Sequence, residues 1–520
     1  MAARRLPRNR RGRHLTSSSP RRRFLQGAAA FTATPWLASV PLRAAEARFP
    51  LGIASGHPRA DGMVLWTRLI GTGLPERVSV RWEVAADEAF REVVVRGDET
   101  AEAAWAHSVH AEPRGLAPGR WYWYRFSALG DRSSVGRTRT APRADARTTL
   151  RLATASCQRY DVGHYAAWRH VAAESPDLVL FLGDYIYESP SRADAIRRHE
   201  GSVARTLAEY RARYATYKSD PLLQAAHAAA PWLMVWDDHE VANDYAGLQS
   251  VDLDPDFATR RAAAYRAYWE HMPFPRSARP AGADMRIVGR LDWGRLARIH
   301  LLDDRQYRDP QACPRPGRGG ANTLPLADCA ALADPRRTLL GAEQERWLAE
   351  GWDTTRPWNL LAQQTLMGRF TWEDPALSGG AYWTDGWDGY AAARRRLLGV
   401  VAEKRLPGVV VLGGDVHSNY VTALKADDDD PAAPVVASEF CGTSISSLGL
   451  AQSRIDAALG FNPNVLYGRS TERGYASIEV TERQVGVRLQ TVDRPLDPDS
   501  GLTTAARFIV EAGRPGPVPG

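Results

Sequence analysis

Leu178-Val179-Leu180-Phe181-Leu182-Gly183-Asp184-Tyr185-Ile186-Tyr187 is an unbroken apolar run that stops at a glycine, a carboxylate and a phenol. Short runs of this kind, rich in Val and Leu, suit strands buried on both faces of a sheet. The same grammar recurs outward from this stretch. Leu150–Ala155 stops at Cys157, Trp232–Trp236 at Asp237-Asp238-His239 with Asn243 following, and Val409–Leu412 at Gly413-Gly414-Asp415-Val416-His417. In open α/β sheets, ligands sit in the crevice beyond the carboxyl ends of the strands. Carboxylate, imidazole, phenol and thiol delivered to one crevice point to metal-assisted hydrolysis.

Around these runs, strand and helix patterns alternate. His164–Glu174, Ala204–Tyr217, Pro221–Ala230, Glu343–Glu350 and Tyr390–Lys404 read as helices, and Leu296–Leu302 and Asn359–Gln363 as strands. Alternation of this kind predicts an α/β architecture. From Tyr475 to Asp493 the pattern predicts two strands that close the catalytic sheet. Upstream, about Phe49 to Arg143 reads as all-β, with runs at Val64–Leu69, Val78–Val84, Glu92–Val95 and Trp121–Ala128 broken by Gly, Pro and Asp turns. The expected organisation is a β-sandwich over 48–145 and a catalytic domain over 146–520, preceded by an export signal at 1–47.

That signal rests on Pro20-Arg21-Arg22-Arg23-Phe24-Leu25-Gln26, which resembles the twin-arginine consensus, the mild apolar stretch Gly27–Val40, and an Ala45-Glu46-Ala47 cleavage site. The stretch is too short, and too interrupted by Pro35 and Pro41, to anchor the mature protein in a bilayer. The expected partner during export is the twin-arginine translocase, and the expected destination is the periplasm, the cell envelope or the medium. The formal charge of +7 includes ten arginines within residues 1–45, leaving −3 over 46–520. No nucleic-acid-binding patch is therefore expected. Four cysteines make no disulfide framework, although Cys313 and Cys329 flank a Gly/Pro-rich loop and are placed to pair. The Asp427–Asp430 run reads as a solvated loop.

Gly183-Asp184 and Gly414-Asp415 use glycine to turn the chain and project a carboxylate into the crevice. A carboxylate with two free oxygens can bridge two cations, and Asp184 is the expected bridge. Thiolate from Cys157 and phenolate from Tyr187 suit an Fe3+-like centre. Oxygen donors from Asp238 and Asn243 suit Ca2+ or another hard divalent ion. His239 and His417 are candidates for metal, phosphate or general-acid roles, and Arg305 for neutralising a phosphate. No Gly-x-Ser-x-Gly elbow, Walker loop or Gly-x-Gly-x-x-Gly fingerprint supports a serine hydrolase or a nucleotide-binding protein.

These motifs resemble the PhoD-type alkaline phosphatases, within the metallophosphoesterases. The resemblance begins at Phe49–Gly56 and Val64–Leu69. It continues through Ser156-Cys157-Gln158, Gly183–Glu188, Trp236–Asn243, Leu302–Arg308, Trp387-Asp388-Gly389-Tyr390 and Gly413–Asn419. It implies a four-layer α/β/β/α catalytic fold behind a small β-sandwich, and an iron–calcium centre that hydrolyses phosphate esters through a metal-bound hydroxide or oxide. Cys157, Asp184, Tyr187 and Asp415 are implied as iron ligands, with Asp184 also facing calcium. Asp238, His239 and Asn243 match the second-metal and phosphate region, and His417 or His239 would assist proton transfer. Substrates are expected among small phosphate esters, with lipid or wall-polymer phosphodiesters as an alternative on the same scaffold. An inactive exported binding protein is the alternative from another class.

Overall fold

A computed structural model describes residues 48–520, and the expected signal at 1–47 lies outside the described residues. The quoted runs are strands: Leu150–Ala155, Leu178–Leu182, Pro231–Val235 and Val409–Gly413. The first three lie side by side and parallel, with Leu178 opposite Leu152 and Val179 opposite Trp232. They form the centre of a ten-stranded sheet. The fourth lies in a seven-stranded sheet, flanked in parallel by Trp358–Ala362 and Val435–Cys441.

Alternation along these strands shows why their sequence is apolar throughout. Leu360, Ala362, Val410 and Leu412 pack in one core with Leu152 and Leu180 of the other sheet. The intervening Leu361, Val409 and Val411 pack against Leu348 of helix Gly341–Gly351 and Leu397, Leu398 and Val401 of helix Ala391–Glu403. Both faces of each strand are therefore covered, as a period of two requires when helices lie outside and a second sheet lies inside. With helices Ala166–Glu174, Leu207–Lys218, Pro221–Ala229 and Phe257–His271 on the larger sheet, the architecture is the four-layer α/β fold expected.

The N-terminal segment is all-β, but it is not a self-contained sandwich. Strands Ile53–Arg59, Gly62–Arg68 and Ser108–Ala111 extend the large sheet, with Ser55 opposite Pro231. Arg77–Ala85, Val93–Glu102 and Trp121–Ala128 belong to a separate five-stranded sheet. Val80, Val84, Tyr124 and Phe126 of that sheet pack on Ile53 and Leu65 of the large one. The sandwich thus borrows one layer from the catalytic sheet, and the described residues 48–520 lie within one compact unit.

Other expectations are refined in the same way. The two closing strands are Gly474–Val480, antiparallel to Leu150–Ala155, and Gln484–Val492, and two more, Leu502–Glu511 and Arg514–Pro519, continue the sheet. Helix Phe257–His271 had no sequence signature because its buried residues include Arg260, Arg261, Glu270 and His271. Asp427–Asp430 is held by cations: Asp428 pairs with Arg394, and Asp429 with Arg369 and Arg395. Cys313 and Cys329 form a disulfide. Among the described residues no helix is long and apolar enough to cross a membrane.

Candidate metal centre

All four runs deliver their terminal side chains to one crevice. Cys157, Asp184, Asp415 and His417 each take left-handed backbone, with φ of 59°, 61°, 64° and 52°. That conformation costs a non-glycine residue about 1–2 kcal/mol, and here it ends each strand abruptly and turns the side chain inward. The fold holds the turns in place: Cys157 N–H donates to Gly183 O at 3.0 Å and Gln158 N–H to Asp184 O at 3.0 Å. Gly183, at φ 103°, meets the turning role expected of it. Gly414 does not, since Asp415 itself makes the second turn. Glycine is needed there because an added Cβ would lie 2.4 Å from Ser156 Oγ.

The donors form a continuous chain of three groups, each with ligand atoms within 4.8 Å of one another. Cys157, Asp184 and His417 make the first, Asp184, Asp238 and His239 the second, and Asp237, Asp238 and Asp415 the third. Tyr187 joins the first group, its hydroxyl donating to Asp184 Oδ2 at 2.7 Å and lying 3.1 Å from His417 Nε2. Asp184 is therefore common to the first two groups. Asp415 is grouped with Asp237 and Asp238, and it is His417 that stands beside the thiol. Asn243 is exposed, and its backbone N–H donates to Glu188 Oε1 at 2.9 Å.

Arg305 is placed differently from the sequence expectation. Its guanidinium is 1% exposed and is committed to carboxylates, donating to Asp237 Oδ1 and, at 2.7 Å, to Asp385 Oδ2. Its third nitrogen faces Asp238 and Asp415 at 3.7 and 3.9 Å. From Arg305, Asp303 accepts the backbone N–H and not the guanidinium, and it also accepts from the Gln306 backbone and side chain and from Trp236 Nε1. Arg305 neutralises the acid cluster from behind rather than reaching into the crevice, because burying so many carboxylates requires a paired cation.

Several residues without a sequence signal orient these donors. His417 Nδ1 lies 2.8 Å from Leu448 O, an acceptor, so Nδ1 donates there and the ring is oriented with Nε2 facing Tyr187 and Asp184. His239 Nδ1 is 2.7 Å from Glu188 Oε2. Burial opposes charge on His239, yet Asp238, Glu188 and Asp184 outweigh it and hold the imidazolium well above its ordinary range. Ser447 Oγ sits 2.7 Å from Tyr187 Oη and 2.8 Å from Cys157 O. Thr365 Oγ1 donates to Asp415 Oδ2 at 2.6 Å. With 14% and 23% of their side chains exposed, His239 and His417 line the open side of an otherwise buried cluster.

The electrostatics fit cations. Burial, then the neighbouring acids, push Cys157 and Tyr187 well above their usual ranges. Burial likewise drives Asp237 and Asp415 up against the opposing pull of Arg305. Asp184 Oδ1 and Asp237 Oδ2 are buried and accept no hydrogen bond. Orphaned carboxylate oxygens in a crowded acidic pocket are what a bound cation would satisfy, inverting the local proton affinities.

Facing sheets with helices outside and a donor-lined crevice at the strand ends are the build of the metallophosphoesterases, and the chain is a phosphoric ester hydrolase of that class. It belongs to the PhoD-like phosphatase family, whose model matches residues 152–489, with the family's N-terminal domain matching 35–142. The chain is 40% identical over 511 residues to alkaline phosphatase D of Bacillus subtilis (strain 168), covering 94% of this chain and 84% of that protein. A solved structure of PhoD superposes with a TM-score of 0.85 at 40% identity, covering 91% of this chain and 92% of that one. The purple acid phosphatase PPD1 from yellow lupin, at 10% identity and a TM-score of 0.56 over 87% and 74% of the two chains, shares the fold.

Proposed function

We propose that this protein is an exported phosphatase that hydrolyses phosphate mono- and diesters at an iron–calcium centre. The observation that carries the reading is the unbroken chain of donors from Cys157 through Asp184 and Asp238 to Asp415, with two carboxylate oxygens left unsatisfied. Thiol, phenol, imidazole and carboxylate at the Cys157 end suit Fe3+, and the all-carboxylate end at Asp237, Asp238 and Asp415 suits Ca2+. Cations held by these residues would supply Lewis acidity for the phosphoryl oxygens and lower the pKa of a bound water.

The protein's own groups do the rest. Arg305 holds Asp237 and Asp385 in place and offsets their charge. His417, its ring oriented by the Leu448 carbonyl at Nδ1, turns Nε2 toward Tyr187 and Asp184. His239, hydrogen-bonded to Glu188 and reachable from solvent, is the proton donor to the departing alkoxide. Support for export comes from residues 20–47, and an Arg21→Lys/Arg22→Lys variant should stay in the cytoplasm.

The test is metal analysis of the purified protein alongside turnover of p-nitrophenyl phosphate and bis-p-nitrophenyl phosphate, before and after chelation. Iron plus calcium, with activity lost to chelator and restored by calcium, is the expected result. Hydrolysis of the diester alone would narrow the function to a phosphodiesterase. Metal-free protein without turnover after reconstitution would end the catalytic reading.

A further inference from the structure

Glu240 follows directly on Asp237-Asp238-His239, is 1% exposed, and among the described residues belongs to none of the metal-type groups. Its carboxylate accepts three backbone N–H groups. Asp184 and Asp237 donate to Oε2 at 3.0 and 2.7 Å, and Tyr185 donates to Oε1. These amides stand just past the ends of two adjacent parallel strands, whose last paired residues are Leu182 and Val235.

Beyond that pair the ladder cannot continue, because Gly183 and Asp184 turn the chain into left-handed backbone. The amides past the turn are buried, and buried N–H groups need partners. One carboxylate supplies them to both strand ends at once. A carboxamide could not, having one acceptor oxygen and an NH2 group that would face an N–H. The strand ends are already as close as side chains permit, since a Cβ on Gly183 would lie 2.4 Å from Asp237 Cβ. Asp184 and Asp237, which share no group of the donor chain, are therefore tied together through Glu240, and Asp238, grouped with each of them, follows directly on Asp237.

We propose that Glu240 is a positioning residue. It carries the β-ladder one step past the strand ends and so fixes the separation of the Asp184 carboxylate from those of Asp237 and Asp238. The role rests on the metal-hydrolase reading above. It contributes no ligand atom and touches no reacting group.

The test compares Glu240→Gln with Glu439→Gln, a matched control. Glu439 is equally buried and accepts the N–H groups of Met367 and Gly368, neither of which is a metal-type donor. Three readouts are taken beside thermal stability: amide hydrogen exchange over 183–187 and 236–240, iron and calcium affinity by titration, and kcat and KM. The expected result for Glu240→Gln is faster exchange in both segments, with metal affinity and kcat each lowered about 10- to 100-fold and KM little changed. Glu439→Gln should lower the melting temperature and leave metal affinity alone. Wild-type affinity and kcat in Glu240→Gln, or a loss confined to melting temperature as in the control, would overturn the proposal. Wild-type protein that takes up no metal and turns over no ester would instead sink the phosphatase reading and this role with it.

Discussion

At the scale of single residues, the centre is made by backbone that side chains usually avoid. Asp184 and Asp415 reach the crevice because each sits at positive φ where a strand stops, and Gly183 is what lets the first turn pass Asp237. Gly183→Ala should cost about 1–3 kcal/mol in backbone strain alone, with a further loss as the new Cβ pushes Asp237 aside. Denaturant unfolding and metal titration of the variant would show both. Lys218 offers a pH test away from the donors. Its ammonium is buried 4.2 Å from the Trp66 ring centroid, and burial alone pushes it down to about 7. An unfolded lysine titrates near 10.5, so between pH 7 and that value the unfolded chain holds a proton the folded one has lost. Stability contributed by this group therefore rises with pH across that window. Lys218→Met removes the cost, and should stabilise by roughly 2–4 kcal/mol at pH 7 after loss of the cation–π contact. The gain should shrink toward pH 10, and an equal gain at both pH values would refute the burial argument.

At the scale of elements, loops that looked autonomous are tied into the frame. The Asp427–Asp430 turn has no need of calcium, because Arg394, 4% exposed and shared between Asp388 and Asp428, and its neighbours already neutralise it. The loop closed by Cys313–Cys329 reaches the layer behind the donors, where Ala321 N–H donates to Asp244 Oδ2 at 3.0 Å and Asp244 N–H donates to Asp238 Oδ2 at 2.6 Å. Closing a loop of sequence separation 16 removes about 3 kcal/mol of unfolded-state freedom. A Cys313→Ser/Cys329→Ser variant should lose about that much stability and be cut by protease within 314–325. Turnover should change less than stability, since no donor lies on the loop. A variant as stable and protease-resistant as the parent would show that the loop is held by packing instead.

At the scale of the whole molecule, the sandwich and the catalytic body share a sheet. Ile53–Arg59 pairs with Pro231–Val235, whose end carries Asp237 and Asp238, and Trp66 Nε1–H donates to Glu270 O at 3.1 Å across that junction. A fragment of residues 146–520 would bare a strand edge and half of an apolar core. It should be recovered aggregated rather than monodisperse in gel filtration. A soluble, metal-binding fragment would show that the division at 145 separates independent folding units. Metal should also count globally: a cation bound only by the folded state stabilises it by about 2.7 kcal/mol at a hundredfold excess over Kd. Chelation should therefore lower the melting temperature, and metal return should restore it.

Much of this was legible in the sequence, and the rest was not for identifiable reasons. Apolar runs of strand length and the types of donor at their ends are local properties, and local sequence determined them, whereas the left-handed backbone at Cys157, Asp415 and His417 was not legible there. Local sequence also determined the paired helices, because amphipathic spacing records which face is covered. Helix Phe257–His271 escaped because charged residues, Arg260, Arg261 and Glu270, are buried among its apolar ones and satisfied by distant partners such as Arg211, which binds Glu270. Arg305 looked free to meet a phosphate because Asp237 and Asp385, its actual partners, lie 68 and 80 residues away. Glu188 and Glu240 lie inside the quoted motifs, but their roles, like those of Ser447 and Leu448, were not legible for the same reason. Each acts through a hydrogen bond to a group brought near by sheet pairing, and no spacing in the chain encodes it. Sequence alone set which chemistry is present. Tertiary packing decided which donors share an ion site, because only the register of two facing sheets brings Cys157, Asp184 and His417 within reach of one another.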